Sequence, residues 1–144
     1  MTAARVRLII GTTQSRVLST TADGRHDTMT LAIGVDNVRP GTFSTQPPHP
    51  SELEAAIEYV ENVVMPLARR LPRDAVLAVE GELPREVKAL RDIDDVEARF
   101  NSVVAVAYGG PITDAVLSDQ RHASAVLILR EFMHHLGFGR LLTR

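Results

Sequence analysis

The chain of 144 residues contains no cysteine. Disulfides and thiolate metal sites are therefore excluded, and nothing calls for an oxidising compartment, so the cytoplasm is the expected location. Tryptophan is absent and aromatic residues make up only 4% of the chain, too few for a surface that stacks nucleic-acid bases. Lys88 is the sole lysine, all other basic residues being arginines, a bias that genomic base composition explains as readily as selection for guanidinium forks. The net charge is −2 with neutral histidines, so there is no global basic field. No apolar run approaches the ~20 residues needed to span a bilayer. Met1 to Arg7 lacks a signal-peptide pattern, and no membrane partner is expected. Also missing are a Gly-x-Ser-x-Gly elbow and a Walker loop, which disfavours a serine hydrolase or a P-loop nucleotidase.

What is present is ordinary for a globular protein, with 44% hydrophobic and 24% charged residues. A chain of this length is expected to form one domain over 1–144 and to bury roughly 68–70% of its unfolded surface. Arg5–Ile10 alternates and then turns apolar, which predicts a strand. Gly11-Thr12-Thr13-Gln14 reads as a turn, Ser15–Thr21 as a second strand, Asp23-Gly24 as a hairpin signal, and Thr28–Val35 as a third strand. Asn37–Pro50, dense in proline, is expected to be extended and exposed. Ser51 is the predicted cap of a helix whose apolar positions are Leu53, Ile57, Val60, Val64 and Leu67, kinked at Pro66. Ala75–Val79 reads as a parallel central strand, Glu82–Arg99 as a surface or broken helix, and Ser102–Ala107 as a fifth strand. A last helix is predicted from near Thr113 or Ser118 to His135, stopped by Gly137 or Gly139.

Three side chains stand out for chemistry. Glu80 ends the central strand, where open α/β sheets keep their sites. Asp119 and His122 lie three apart on one face of the last helix. Carboxylates are the hard oxygen donors that Mg²⁺ prefers. The order strand, strand, strand, helix, strand, helix, strand, helix resembles a ribonuclease H-like domain. Val76–Gly81 and Ser118–Leu129 are similar to the fourth strand and last helix of RuvC-type Holliday-junction resolvases. The resemblance implies an α/β fold, βββαβαβα, with a five-stranded mixed sheet and helices on both faces. It further implies a metal-dependent endodeoxyribonuclease acting on branched DNA as a homodimer, with Mg²⁺ or Mn²⁺ held by Glu80, Asp119 and His122. The family's first-strand acid would fall at Ile9, and an aliphatic side chain cannot coordinate a metal. Three expectations follow: Asp36 or Asp114 substitutes, or the chain is a non-catalytic binding module with a protein partner, or only the fold is shared.

Ile10–Leu18 with Asp23-Gly24-Arg25 resembles the first phosphate-binding hairpin of actin-like kinases and exopolyphosphatases. That resemblance implies phosphate contacts by Gly11, Thr12 and Thr13, beside the plainer reading of a hairpin turn. Arg69, Arg70 and Arg73 cluster at the end of the first helix, as caps or as contacts to nucleic-acid phosphates. Glu131 and His134 have the i, i+3 spacing of carboxylate-bridged iron helices, but no paired copy on another helix is visible in the sequence. His134-His135 also suits the negative end of a helix dipole.

Overall fold

The computed structural model describes residues 3–144; Met1 and Thr2, at the start of the stretch read for a leader, lie outside it. Strands β1 (Arg5–Ile10), β2 (Ser15–Thr20) and β3 (His26–Leu31) form the predicted antiparallel meander. β3 begins and ends earlier than the apolar alternation suggested. Ile33 and Val35 are buried all the same, because the chain after β3 turns back over the β1–β2 connection. The Val35 and Asp36 amides donate to the Gly11 and Thr12 carbonyls at 3.0 and 2.8 Å.

Helix α1 (Pro50–Val64) is capped two residues earlier than expected, by His49 rather than Ser51, with the His49 ring nitrogen accepting from the Ser51 amide at 3.2 Å. It buries Leu53, Ala56, Val60 and Val64. Pro66 cannot donate to the helical ladder, and α1 gives way there to a 3₁₀ turn, Met65–Arg69. The proline-rich loop is not wholly exposed: Val38 and Phe43 are core residues. β4 (Val76–Gly81) then runs parallel to β1, from Arg5 opposite Val76 to Ile10 opposite Gly81.

The segment 102–107 is not a strand. It lies inside α2 (Ile93–Ala107), whose N-cap Asp92 accepts from the Asp95 amide. Valines at 103, 104 and 106 favour β structure locally, but Val96, Phe100 and Val103 fall on one helical face that packs on the last helix. Burial of that face overrides the local preference. α3 (Gln120–Leu136) is capped by Asp119 and closed by Gly137 in the left-handed conformation. His122 to Leu129 are buried without interruption, as in a helix enclosed round its whole circumference. The fifth strand is β5 (Leu141–Thr143), parallel to β4 at the edge, giving the order β3-β2-β1-β4-β5.

The mixed five-stranded sheet was anticipated; helices on both of its faces were not realised. Val6, Leu8, Ile10, Val17, Leu77 and Val79 point into the core. Arg5, Arg7, Arg16, Thr28, Thr30, Val76 and Leu142, on the other face, are exposed, so among the described residues no helix covers them. The element order is βββαβααβ rather than βββαβαβα. Among the described residues no helix is long and apolar enough to cross a membrane.

Candidate functional site

At the C-terminal ends of the parallel pair β1 and β4, three glycines let main chains touch. A Cβ on Gly11 would lie 2.1 Å from the Gln14 carbonyl oxygen, one on Gly34 2.4 Å from that of Thr12, and one on Gly81 2.2 Å from that of Ile10. Gly81 also has φ +105, which side chains other than glycine rarely adopt. The close approach orders the β1–β2 connection. Four successive carbonyls, Ile10 to Thr13, turn back into the protein. They accept from the Glu82, Val35 and Asp36 amides and from the Asn37 side-chain amide, at 2.7 to 3.1 Å. The amides of Thr12, Thr13 and Gln14 and the two threonine hydroxyls find no partner among the described residues, and all three residues are exposed. Successive outward amides of this kind form an anion-binding concavity.

Next to this loop is a cleft of about 220 Å³ lined by Val35, Glu82, Leu83, Pro84, Asp119 and Arg121. Arg121 makes a two-pronged pair with Asp36, at 3.1 and 2.7 Å. The pair ties the segment after β3 to the start of α3. The carboxylates of Glu82 and Asp119 are left to set the sign of the cleft. Asp36, one of the two acids considered as a replacement at Ile9, does reach this end of the sheet. Asp114 does not serve there, since it caps the 3₁₀ turn Ala115–Ser118 by accepting from the Val116 amide. Gly34, Gly81, Glu82 and Arg121 were not singled out by sequence reasoning. Among them Gly81 alone carries a sequence signal, as the glycine directly after the strand-ending Glu80.

The trio drawn from the resolvase resemblance does not assemble. Glu80 is opposite Ile9 on the sheet face without helices and pairs with Arg7 at 2.7 Å. Asp119 accepts from the His122 amide as a helix cap. His122 is fully buried, and neither of its ring nitrogens has a hydrogen-bond partner. The sole group of three metal-ligating side chains that converge among the described residues is a different one, Glu61, Glu131 and His135. The arginines Arg69, Arg70 and Arg73 are exposed where β4 begins, at the opposite end of the sheet from Gly11–Thr13. Arg70 is engaged there by Asp27 through two bonds of 3.0 and 2.9 Å.

His122 has a consequence for stability. Burial, with Arg99 adding to it, holds its pKa below the ordinary 6.5. The unfolded chain therefore takes up this proton at a higher pH than the folded one. Stability attributable to the neutral ring is present above pH ~6.5 and is lost as pH falls through that value toward the lower folded pKa. Glu131 acts in the opposite sense: burial raises its pKa above the ordinary 4.5, so its contribution weakens as pH rises through that value. The difference between wild type and His122→Leu isolates the histidine. Urea midpoints at pH 7.5 and 5.5 should show wild type losing more stability on acidification than the variant; equal losses would remove His122 from the account.

No family model matches the chain, nor does any curated protein. Solved structures do match. One is the type II variant of a Ppx/GppA phosphatase from Aquifex aeolicus, with TM-score 0.69 and 11% identity over 99% of this chain and 53% of that one. A PPX-GPPA enzyme of the same organism has TM-score 0.67 and 12% identity, over 99% and 54% of the two chains. An exopolyphosphatase-like protein has TM-score 0.64 and 9% identity, over 98% and 54%. The chain thus spans about half the length of these proteins. At such identities the likeness is one of fold. It overturns the reading as a Holliday-junction nuclease with DNA as partner, since the structures matched over nearly the whole chain are described as phosphatases and exopolyphosphatase-like. The side chains agree: Ile9 offers no ligand, Glu80 is held by Arg7, and His122 is sealed in the core.

Proposed function

We propose that this chain binds phosphate chains, as their Mg²⁺ complexes, at the Gly11–Gln14 loop. The observation that carries the reading is the set of outward amides at Thr12, Thr13 and Gln14, with two threonine hydroxyls beside them and the carbonyls pinned behind. Together they offer donors to phosphate oxygens and no competing acceptor. The fold shared with Ppx/GppA phosphatases supports the choice of ligand, and so does the resemblance of this hairpin to that of exopolyphosphatases.

The acidic surroundings dictate the form in which phosphate arrives. Asp36 is occupied by Arg121, but Glu82 and Asp119 line the cleft beside the loop and would repel a bare polyanion. Their donors do not converge into a protein cage, which suits Mg²⁺, an ion that keeps several waters and binds through one or two carboxylates plus substrate phosphates. Glu82 and Asp119 are the residues that would hold it, and the bound ion would supply charge neutralisation. Ile9 leaves the β1 position without a carboxylate, so binding rather than hydrolysis is the activity proposed.

Calorimetric titration with tripolyphosphate in the presence and absence of Mg²⁺ tests this. Binding is expected with Mg²⁺. It should weaken at least about tenfold in the Thr12→Val, Thr13→Val double variant, which removes two hydroxyl donors at nearly constant volume, about 1.4 kcal/mol or more. Absence of heat at millimolar ligand, or equal affinity in the double variant, would rule the site out.

A further inference from the structure

We infer that Glu61, Glu131 and His135 form a zinc-class metal site that staples α1 to α3, separate from the phosphate loop. One ligand atom from each of the three lies within 4.8 Å of the others. His135 Nε2 is 3.9 Å from Glu61 Oε2 and 3.9 Å from Glu131 Oε1. With the third separation at most 4.8 Å, a point equidistant from the three donors lies roughly 2.0–2.5 Å from each, within a small side-chain adjustment of the ~2.0–2.2 Å of Zn–N and Zn–O bonds.

A cluster of acids and a histidine would mean little without the state of Glu131. Its side chain is 1% exposed, and Oε1, aimed at His135, has no hydrogen-bond partner. The other oxygen, Oε2, accepts from Arg130 at 3.1 Å. Arg130 is itself fixed by Glu97 at 3.2 Å and by stacking over Phe100, so it cannot swing across to serve Oε1. A buried carboxylate oxygen left in this condition is costly, and a cation between the three side chains removes that cost.

The donor set selects the metal. One imidazole and two carboxylates suit Zn²⁺ and its neighbours, whereas Mg²⁺ and Ca²⁺ prefer oxygen alone. Glu61 and His135 remain 39% and 23% exposed, which leaves an entry path and a fourth position for water. The sequence displayed half of this arrangement in the carboxylate–histidine spacing near Glu131. The true partner is His135, one turn on, and the missing copy is a single glutamate from α1. The site lies about 18 Å along α3 from Asp119, at ~1.5 Å per residue, so its loss need not disturb the phosphate loop.

The test uses the full chain without a histidine tag. Zn²⁺ titrated at pH 7.5 is expected to bind once per chain with micromolar affinity or tighter and to raise the unfolding temperature, while Mg²⁺ at the same concentration does neither. Glu61→Gln and His135→Ala, both at partly exposed positions, should each weaken Zn²⁺ binding at least tenfold. His134→Ala, at an exposed neighbour outside the cluster, should leave it unchanged. No binding at 100 μM Zn²⁺ (about a hundred times the Kd expected here) would overturn the assignment. So would unchanged affinity in either cluster variant, or an equal loss in His134→Ala.

Discussion

Replacing Gly81 with alanine is expected to lower folding stability by about 3 kcal/mol or more, seen as a large fall in the urea midpoint. Two costs combine. A side chain at φ +105 is disfavoured by roughly 1–2 kcal/mol. The new Cβ would also sit 2.2 Å from the Ile10 carbonyl oxygen and 3.0 Å from its nitrogen. Main chain cannot rotate away as a side chain can. The ends of β1 and β4 must therefore separate, at the expense of the 2.7 Å bond from the Glu82 amide to that carbonyl, worth about 1 kcal/mol. Gly24 supplies the control. It has φ +87 in the β2–β3 turn, but a Cβ there meets nothing within 4 Å. Gly24→Ala should cost only the conformational part. Equal losses at the two positions would show that the contact with Ile10 is not what makes Gly81 necessary. Because this contact orders the loop whose amides face outward, Gly81→Ala should also abolish tripolyphosphate binding in whatever fraction remains folded.

The second large effect is expected from Phe132→Ala, about 3–5 kcal/mol. Phe132 is fully buried in α3 and stacks on Phe138, with ring centroids 5.8 Å apart and planes 9° from parallel. Phe138 follows the Gly137 cap, so the stack fastens the end of α3 to the chain that leads into β5. α3 contacts both other helices and is buried on every side through 122–129, leaving little room for neighbours to collapse into the void. Equilibrium urea unfolding of both proteins measures the loss. A loss below about 1 kcal/mol would mean that the site relaxes freely and that α3 is not the rigid centre its burial indicates. Leu142→Ala, at a position 60% exposed on the far sheet face, should change stability by no more than about 0.5 kcal/mol.

Local chemistry made some elements legible in the chain alone. The β1–β2–β3 meander follows from period-two alternation and Asp23-Gly24; α1 and α3 follow from helical spacing, and Gly137 marks the stop. β4, expected over Ala75–Val79 and found over Val76–Gly81, is legible to within two residues at each end because a short apolar run after a helix has few alternatives. The failures share a cause. Val103 to Val106 look like a strand until Val96 and Phe100 are seen to share their face against α3. Leu141–Thr143 is too short to announce itself as a strand and becomes one only because β4 offers a free edge. Phe43 sits among residues that read as exposed loop, yet the fold buries it.

By itself the sequence determined the α/β character of the described chain, the absence of thiol chemistry, and the Gly-Thr-Thr turn that resembles a phosphate hairpin. Those properties reside in residue type and short-range spacing, which a linear reading preserves. Only the tertiary structure decided which residues meet. It set Glu80 against Arg7, sank His122 into the core, and brought Glu61 within reach of Glu131 and His135 across 70 positions of chain. It also turned four carbonyls inward so that three amides face out. Such arrangements depend on how far apart whole elements pack and which way each one faces, quantities that no local pattern of side chains encodes.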